Sequence, residues 1–417
     1  MAQGIEIRCP IYGFIAIDAW EREIISQPAF QRLRRIRQLA WTEHVYPGAM
    51  HTRFEHSLGV MHMATMLYDG IVERSKEFLE RELGYNDAGR KRYRQLIRLA
   101  TLLHDVGHGP FSHAVEELAP EKAAGYGQYT HEDYSTAIIK RHFQDLIENH
   151  PDNNNYGFRI EEVTGLIDGG ESVGRGAVWR DLVSGQLDAD RMDYLLRDSY
   201  HCGVEYGRYD WRRIVATVSL VRSESGAPQL GISEAGRHAA EAMIIARYMM
   251  FNQVYFHKTR VILDYHLHYA VQSMLSDGLF PPPIGSGIDE YLRWDDWRVF
   301  GELSSGRGGD HGRRLMQRDF YREVWHSPEF PNESDELELV RVEGILGNLL
   351  AARRDAGKSW YRVGETDIPI IEASPRRAIP LSMRSTIVGN MKPTRLARLY
   401  VDRHNRGEAI RRIEAGA

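Results

Sequence analysis

The sequence predicts a mainly helical protein, and three observations carry that prediction. Apolar residues recur at helical spacing through most of the chain up to position 275, as at Phe30, Leu33 and Ile36, at Leu58, Met61 and Leu67, at Leu96, Leu99, Leu102 and Leu103, and at Ala242, Ile245 and Met249. Turn-formers punctuate these runs at Pro47-Gly48, from Gly107 to Pro110, and in PDNNNYG (Pro151 to Gly157). Strand-like alternation interrupts the helices at Ser219 to Ile232, where VSLV and QLGI flank Glu224-Ser225-Gly226 and read as a small inserted β-hairpin. Composition then shifts at GLFPPPIGSG (Gly278 to Gly287). That divides the chain into a helical core over residues 1–277 and a mixed α+β region over 278–417. In the second region helices are predicted at Glu290 to Leu303, Arg313 to Trp325 and Val340 to Asp355, followed by strand-like runs at DIPII and STIVGN. No internal repeat is present, and only the last few residues read as lacking structure.

A chain of 417 residues is long enough to bury a site that excludes water. The net charge of -5 argues against wholesale wrapping of nucleic acid, although the arginine-rich QRLRRIRQ (Gln31 to Gln38) provides local positive potential. Small anions are therefore natural partners, and nucleic acid stays open as a second class. Cys9 and Cys202 are the two cysteines, so no disulfide framework is expected and a reducing cytoplasm is the natural compartment. The start, MAQGIEIRCPIYGF, lacks a basic flank followed by an apolar core, and no apolar run is long enough to span a bilayer. These features predict a soluble cytoplasmic protein with no membrane partner.

Two stretches, HTRFEHSLGV (His51 to Val60) and LLHDVGHGPFSH (Leu102 to His113), crowd five histidines, Asp105 and Arg53 onto predicted helix ends. Neutral imidazoles and carboxylates are the usual ligands of a catalytic divalent metal, and LDADRMDYLLRD (Leu187 to Asp198) adds carboxylates on another helix. Adjacent helical residues diverge by about 100 degrees, so His104 and Asp105 can share an ion only if other ligands converge on it. His56 and one of Asp188, Asp190 and Asp193 could complete the set, and spacing does not choose among the three aspartates. The apolar lead-in LIRLATLL buries the helix behind these groups and fixes their rotamers. This pattern points to a metal-dependent hydrolase. Arg53 lies three residues before His56, on nearly the same face, and can fork onto a phosphate oxygen; its alternative is a surface pair with Glu55. Thr130-His131-Glu132-Asp133 fits the helix-capping pattern. Cys202 has no recognisable oxyanion donors around it and is not read as a nucleophile.

The blocks HTRFEHSLGV, LLHDVGHGPFSH, THEDYS and LDADRMDYLLRD, in that order, resemble the HD-domain phosphohydrolases, and within them the deoxynucleoside triphosphate triphosphohydrolases. The likeness begins near PIYGFIAID and runs through His257-Lys258, with no SAM domain expected before it. It implies a metal shell of His56, His104, Asp105 and Asp190, holding a divalent Mg, Mn, Fe, Co, Ni or Zn ion, with Asp188 and Asp193 left as cap or salt-bridge residues. It implies water attack on the α-phosphorus of a dNTP, giving a deoxynucleoside and inorganic triphosphate. Arg53 then faces the α-phosphate, Arg191 keeps a positive charge toward the substrate where the family has lysine, and Arg247 faces the outer phosphates. His113 and His131 become candidates to protonate the departing 5′-oxygen, with His108 beside the phosphates and Glu132 next to His131. Gln38, Leu39, Tyr194, Asp198 and Tyr255 match ribose-facing positions; Leu39 and Tyr255 would crowd the 2′ carbon, and Gln38 and Asp198 would meet the 3′-OH.

The resemblance further implies a homo-oligomer (dimer, tetramer or hexamer) and a possible nucleotide effector. Ser26 replaces an aspartate that reads guanine, and Ser233 and Ala235 are uncharged where the animal enzymes hold effector phosphates, so activation by GTP in that manner is not expected. Phe251 and Phe256 replace polar residues near the base, so base preference is not carried over. Two other readings use the same residues: an HD-type phosphodiesterase or nuclease acting on RNA, single-stranded DNA or cyclic nucleotides, and a nucleotide-binding regulator without turnover. The complete ligand set argues against the last.

Overall fold

A computed structural model describes residues 4–416, apart from 126, 224, 359–360, 362–366 and 374–375. As predicted, helices dominate. The central one, Arg53–Arg74, is buried along most of its length, from Phe54 through Ile71. It starts where the Thr52 backbone N–H donates to Glu55 at 3.0 Å, so Glu55 is occupied as a capping group. Asp87–Leu103 packs against it, begun by Asn86, which accepts from the Gly89 N–H at 2.8 Å. Ala189–Cys202 lies on its other side, capped by Asp188 accepting from the Arg191 N–H at 2.7 Å and ended by Gly203 at φ 69°. A glycine makes this approach possible. A Cβ on Gly59 would fall 2.0 Å from Asp193 Oδ1 and 2.2 Å from Arg197 Nη2, so any larger residue would push the two helices apart.

Among the described residues the strands form three small sheets. Strands β1 (Ile5–Cys9) and β2 (Gly13–Ile17) form an antiparallel hairpin, Ile7 opposite Ile15. The expected inserted hairpin is present as β3 (Val218–Arg222) and β4 (Pro228–Ser233), with Leu220 opposite Leu230; Glu224 of its turn lies outside the described residues. It does not stand alone. β7 (Pro369–Ala373) pairs parallel with β4, and β8 (Arg376–Pro380) pairs with β7, giving the order β3-β4-β7-β8. The third sheet, β5-β9-β6, comprises β5 (Arg322–His326), β6 (Leu350–Lys358) and β9 (Thr394–Val401).

DIPII falls on β7 as expected, and the other C-terminal assignments need correction. Glu290 to Leu303 is two helices, Gly287–Tyr291 and Asp296–Ser304, because Asp295 starts a new one by accepting from the Arg298 N–H at 2.9 Å. Of Arg313 to Trp325, only the beginning is helical, within Gly309–Met316. Arg318 turns the chain at φ 53° and the rest becomes β5, with Trp325 opposite Leu399. Val340 to Asp355 likewise splits: the helix Glu333–Leu346 stops at Gly347 (φ 49°), and β6 follows, with Arg354 opposite Arg398. STIVGN is no strand but a helical turn, Thr386–Gly389, begun by the Ser385 hydroxyl accepting from the Val388 N–H. The last residues form the helix Arg406–Ala415, whose Ala409 is fully buried.

The main hydrophobic core runs from Cys9 to Tyr400 and takes Phe280 from the Pro-rich stretch GLFPPPIGSG and Ile288, Tyr291 and Trp294 from beyond it. A second, smaller core of Leu339, Val342, Leu346, Leu399 and Val401 lies beneath the β5-β9-β6 sheet. No helix among the described residues is long and apolar enough to cross a membrane.

Candidate metal centre and active site

His104 does not lie inside its helix. The helix Asp87–Leu103 ends one residue earlier, so His104 caps it and Asp105 follows in the turn. His104 Nδ1 lies 2.7 Å from the Thr101 carbonyl and therefore carries the proton. Its Nε2 is buried with no hydrogen-bond partner, 3.2 Å from Asp105 Oδ1 and 3.8 Å from Asp190 Oδ1. His56 is fully buried; its Nε2 is 2.9 Å from Asp190 Oδ1 and 3.6 Å from Asp105 Oδ2. Ligand atoms of His56, His104 and Asp105 lie within 4.8 Å of one another.

These residues fit a divalent cation. A buried imidazole nitrogen with a free lone pair is costly unless something electrophilic meets it, and here two carboxylates and a second imidazole converge on the same point. Asp190 is the open member, its side chain 35% exposed, and it marks the face from which a substrate can approach. Burial opposes charge on His56, yet its bonds to Asp190 and Asp193 push the imidazole up to about 10. Burial likewise opposes ionisation of Asp105, but Arg53, His104 and His108 hold it well below the usual carboxylate range.

Behind these residues runs a supporting network. His56 Nδ1 bonds Asp193 Oδ2 at 2.8 Å; the Arg197 guanidinium grips both oxygens of Asp193 at 2.8 Å, and the Tyr12 hydroxyl donates to Oδ1 at 2.8 Å. The expected salt bridge of Asp193 is thus present, and the same carboxylate also orients a candidate ligand, which the sequence reading missed. Asp188 is the expected cap.

Arg53 is buried and does not pair with Glu55. Its Nη1 bonds Asp105 Oδ2 at 2.5 Å and its Nε donates to Ser112 Oγ at 2.9 Å. It therefore links the cage to the loop that bears a second cluster, His108, His113 and His131. His108 Nε2 is 3.3 Å from Asp105 Oδ1, and its ring stacks on His131 with centroids 4.1 Å apart. Glu116 is the centre of this cluster and was also missed, although its position three residues after His113 could have flagged it. Its two oxygens accept from His113 Nδ1 at 2.7 Å and His131 Nδ1 at 2.6 Å. Glu132 Oε1 lies 3.4 Å from His131 Nε2. Burial acts against charge on His131, but Glu116 raises it above the ordinary imidazole value, whereas burial, Arg53 and His131 hold His108 well below. The predicted capping of this helix is real, the Thr130 N–H donating to Asp133 at 2.8 Å. Gly107 lets it pack here, since a Cβ there would meet His131 O and Ser135 N at 2.2 Å.

The ribose-matching positions gather at one end. Asp198 accepts from the Tyr255 hydroxyl at 2.6 Å and bonds His51 Nε2 at 2.7 Å, with His201 stacked on His51 at 4.4 Å. His51 was not singled out for this role by the sequence. Gln38, whose N–H bonds the His51 carbonyl, has a buried side-chain oxygen without a hydrogen-bond partner, and Leu39 is buried beside it. Tyr194 faces Tyr255 edge-on at 6.2 Å. Burial pushes the Tyr194 hydroxyl up to about 12, with Arg247 and Arg191 close enough to pull against it. Burial pushes the Cys202 thiol up to about 12.

Comparison with known proteins agrees with this architecture. Residues 53–198 match the HD domain and residues 209–338 the HD associated region. The chain is 35% identical over 414 residues to an uncharacterized Bacillus subtilis protein, YwfO, covering 93% of this chain and 89% of that one. It is 29% identical over 286 residues to the Homo sapiens deoxynucleoside triphosphate triphosphohydrolase SAMHD1, covering 62% of this chain and 42% of that protein. An uncharacterized Methanocaldococcus jannaschii protein, MJ1154, is 37% identical over 265 residues, 64% of this chain and 49% of its own length. A crystal structure of a hypothetical protein from Aquifex aeolicus superposes with a TM-score of 0.80 at 28% identity, covering 99% of this chain and 100% of that one. With an HD domain, its associated region and a relative matched over nearly its whole length, this chain belongs to the HD-domain family.

Proposed function

We propose that this protein is a divalent-metal-dependent phosphohydrolase that converts a dNTP to deoxynucleoside and inorganic triphosphate. The observation that carries this reading is the buried, unpaired Nε2 of His104, which shares one point with His56 and Asp105 beside the Arg53 guanidinium, with Asp190 Oδ1 at 3.8 Å. A divalent ion held by those four residues supplies Lewis acidity at a phosphoryl oxygen and a more acidic water.

The chain's own groups do the rest. Asp193 and the Thr101 carbonyl fix the two imidazoles in the tautomers that turn Nε2 inward. Arg53, fixed by Asp105 and Ser112, presents charge to the α-phosphate, and Arg191 and Arg247 take the outer phosphates. As water adds to the α-phosphorus and the bond to the 5′-oxygen breaks, that oxygen needs a proton. His131 holds one because Glu116 keeps it cationic, and His113, bonded to the same carboxylate, orders the approach; His108 stays neutral beside the phosphates and Glu132 steadies His131. Asp198, Tyr255, Gln38, Leu39 and Tyr194 enclose the sugar. We further place the protein in the cytoplasm as a homo-oligomer, with residues 1–277 as catalytic core and 278–417 packed upon it; the free thiols of Cys9 and Cys202 suit a reducing compartment.

Incubation with each dNTP and rNTP in magnesium, manganese or cobalt, with products resolved by chromatography, tests the proposal. Nucleoside plus triphosphate is expected; monophosphate plus pyrophosphate contradicts it.

A further inference from the structure

The loop that carries His108 and His113 holds a conformation its own sequence disfavours. Phe111 and Ser112 follow one another at φ 56° and 57°, in the left-handed region that residues with a Cβ seldom enter. Such a turn persists only where its surroundings over-determine it, and the surroundings here come from far along the chain.

Asp296, at the start of the helix Asp296–Ser304, is 1% exposed. Its Oδ1 accepts from the Phe111 N–H at 2.7 Å and its Oδ2 from the Arg37 N–H at 2.8 Å. It is not needed to cap its helix, because Asp295 does that. Tyr291 attaches the other end of the same loop, its hydroxyl donating to the Gly107 carbonyl at 2.7 Å. Just beyond Phe111, Ser112 Oγ donates to the Arg37 carbonyl at 2.8 Å while receiving Arg53. The segment thus grips the loop on both sides of His108, at Gly107 and at Phe111, and the second oxygen of Asp296 fixes Arg37, the residue preceding Gln38. Burial drives the Asp296 carboxyl up to about 7 against the pull of these two amides, so retaining an acid here is unfavourable unless the amides need an acceptor.

We propose that the Tyr291–Asp296 segment, outside the residues matched to the HD domain itself, is a positioning strap: Asp296 and Tyr291 hold the Gly107–His113 loop so that His113 and Arg53 meet one substrate. The kinetic part of this inference rests on the proposed phosphohydrolase reading; the structural part does not.

The full-length protein and its Asp296→Asn and Tyr291→Phe variants are compared by amide hydrogen exchange, circular dichroism, retained metal and dNTP kinetics. Asn offers one acceptor oxygen and aims an N–H₂ at the other amide, so one of the two bonds fails. Exchange in the peptide spanning Gly107 to His113 is expected to rise by at least about 10-fold in folded Asp296→Asn, with metal retained. The expected kcat falls by about 10- to 100-fold while KM moves by less than about 3-fold. In a His113→Ala background the same change should cost under about 3-fold, because the two act through one loop. Unchanged exchange at that peptide, or full additivity with His113→Ala, overturns the strap. If Asp296→Asn does not fold, Tyr291→Phe decides on the same peptide and the same two criteria. A wild-type protein that hydrolyses no nucleotide refutes the functional reading alone, and the exchange result still decides the strap.

Discussion

The two histidine clusters of this protein stand side by side and use the same side chains, yet their partners give them opposite characters. In the cage, one nitrogen of each imidazole is committed outward, His104 Nδ1 to a backbone carbonyl and His56 Nδ1 to Asp193, so that Nε2 of both faces the carboxylates of Asp105 and Asp190. In the neighbouring cluster, His113 and His131 are tied by Nδ1 to one carboxylate, Glu116, which lifts His131 above the ordinary imidazole value while burial holds His113 below it. What Nε2 meets separates the two: in the cage it turns onto Asp105 and Asp190, which can share a metal with it, whereas His131 Nε2 meets Glu132 alone. His108 stands between them, touching Asp105 on one side and stacked on His131 on the other, and burial keeps it neutral.

The largest effect should come from the cage. Asp105→Asn removes a candidate ligand and the partner of the buried Arg53 while preserving volume. Metal retained after gel filtration, read by mass spectrometry, should be lost and turnover should fall to background in a folded protein. Activity that survives places the centre elsewhere.

The second cluster is probed by Glu116→Gln, for which we expect a loss in kcat of about 10²-fold with metal content unchanged. Its pH profile carries the sharper signature. Glu116 lifts His131 above the ordinary imidazole value of about 6.5, so the active cationic form persists up to that raised pKa and is lost as pH climbs through it. Without the carboxylate the alkaline limb should move to lower pH. An alkaline limb that stays in place assigns the proton to another group.

Asp193→Asn attacks the support of the cage rather than the cage. Metal affinity should weaken by about 10- to 100-fold, measured by competition with a chelator. Arg197, fully buried, loses its ionic partner at the same time, and a destabilisation of about 3 kcal/mol or more is expected by thermal unfolding.

Much of this was legible in the sequence because it is local or carried by ordered blocks. The three helices bearing the cage show helical periodicity, and the capping groups at Asn86, Asp188 and Thr130 lie within three residues of what they cap. Spacing left Asp188, Asp190 and Asp193 equivalent, and the family likeness separated them; the structure assigns each a different partner. What failed was non-local. Arg322 to His326 forms a strand because β9, more than seventy residues later, supplies its partner, and no window around it contains that information. The same holds for β6. Asp296 was invisible for an equivalent reason: its partners are backbone amides 185 and 259 positions away, and a carboxylate that serves amides leaves no pattern in side-chain types.

The smallest effect belongs to the far end of the pocket. Tyr255→Phe keeps the ring that we propose crowds the sugar and removes one donor from Asp198, which retains His51 at 2.7 Å. Losing a hydrogen bond to a charged group costs about 1.5 kcal/mol at the low end, equivalent to roughly 10-fold. Since Tyr255 is assigned to the sugar and not to the phosphates or the proton, that cost should appear as a rise in KM for dNTPs of about 5- to 10-fold with kcat nearly unchanged. Rejection of ribonucleotides should survive, because the ring and Leu39 remain beside the 2′ carbon. A fall in kcat comparable to that of Glu116→Gln would instead tie Tyr255 to the proton-transfer cluster, and the division between a sugar end and a reacting end would have to be redrawn.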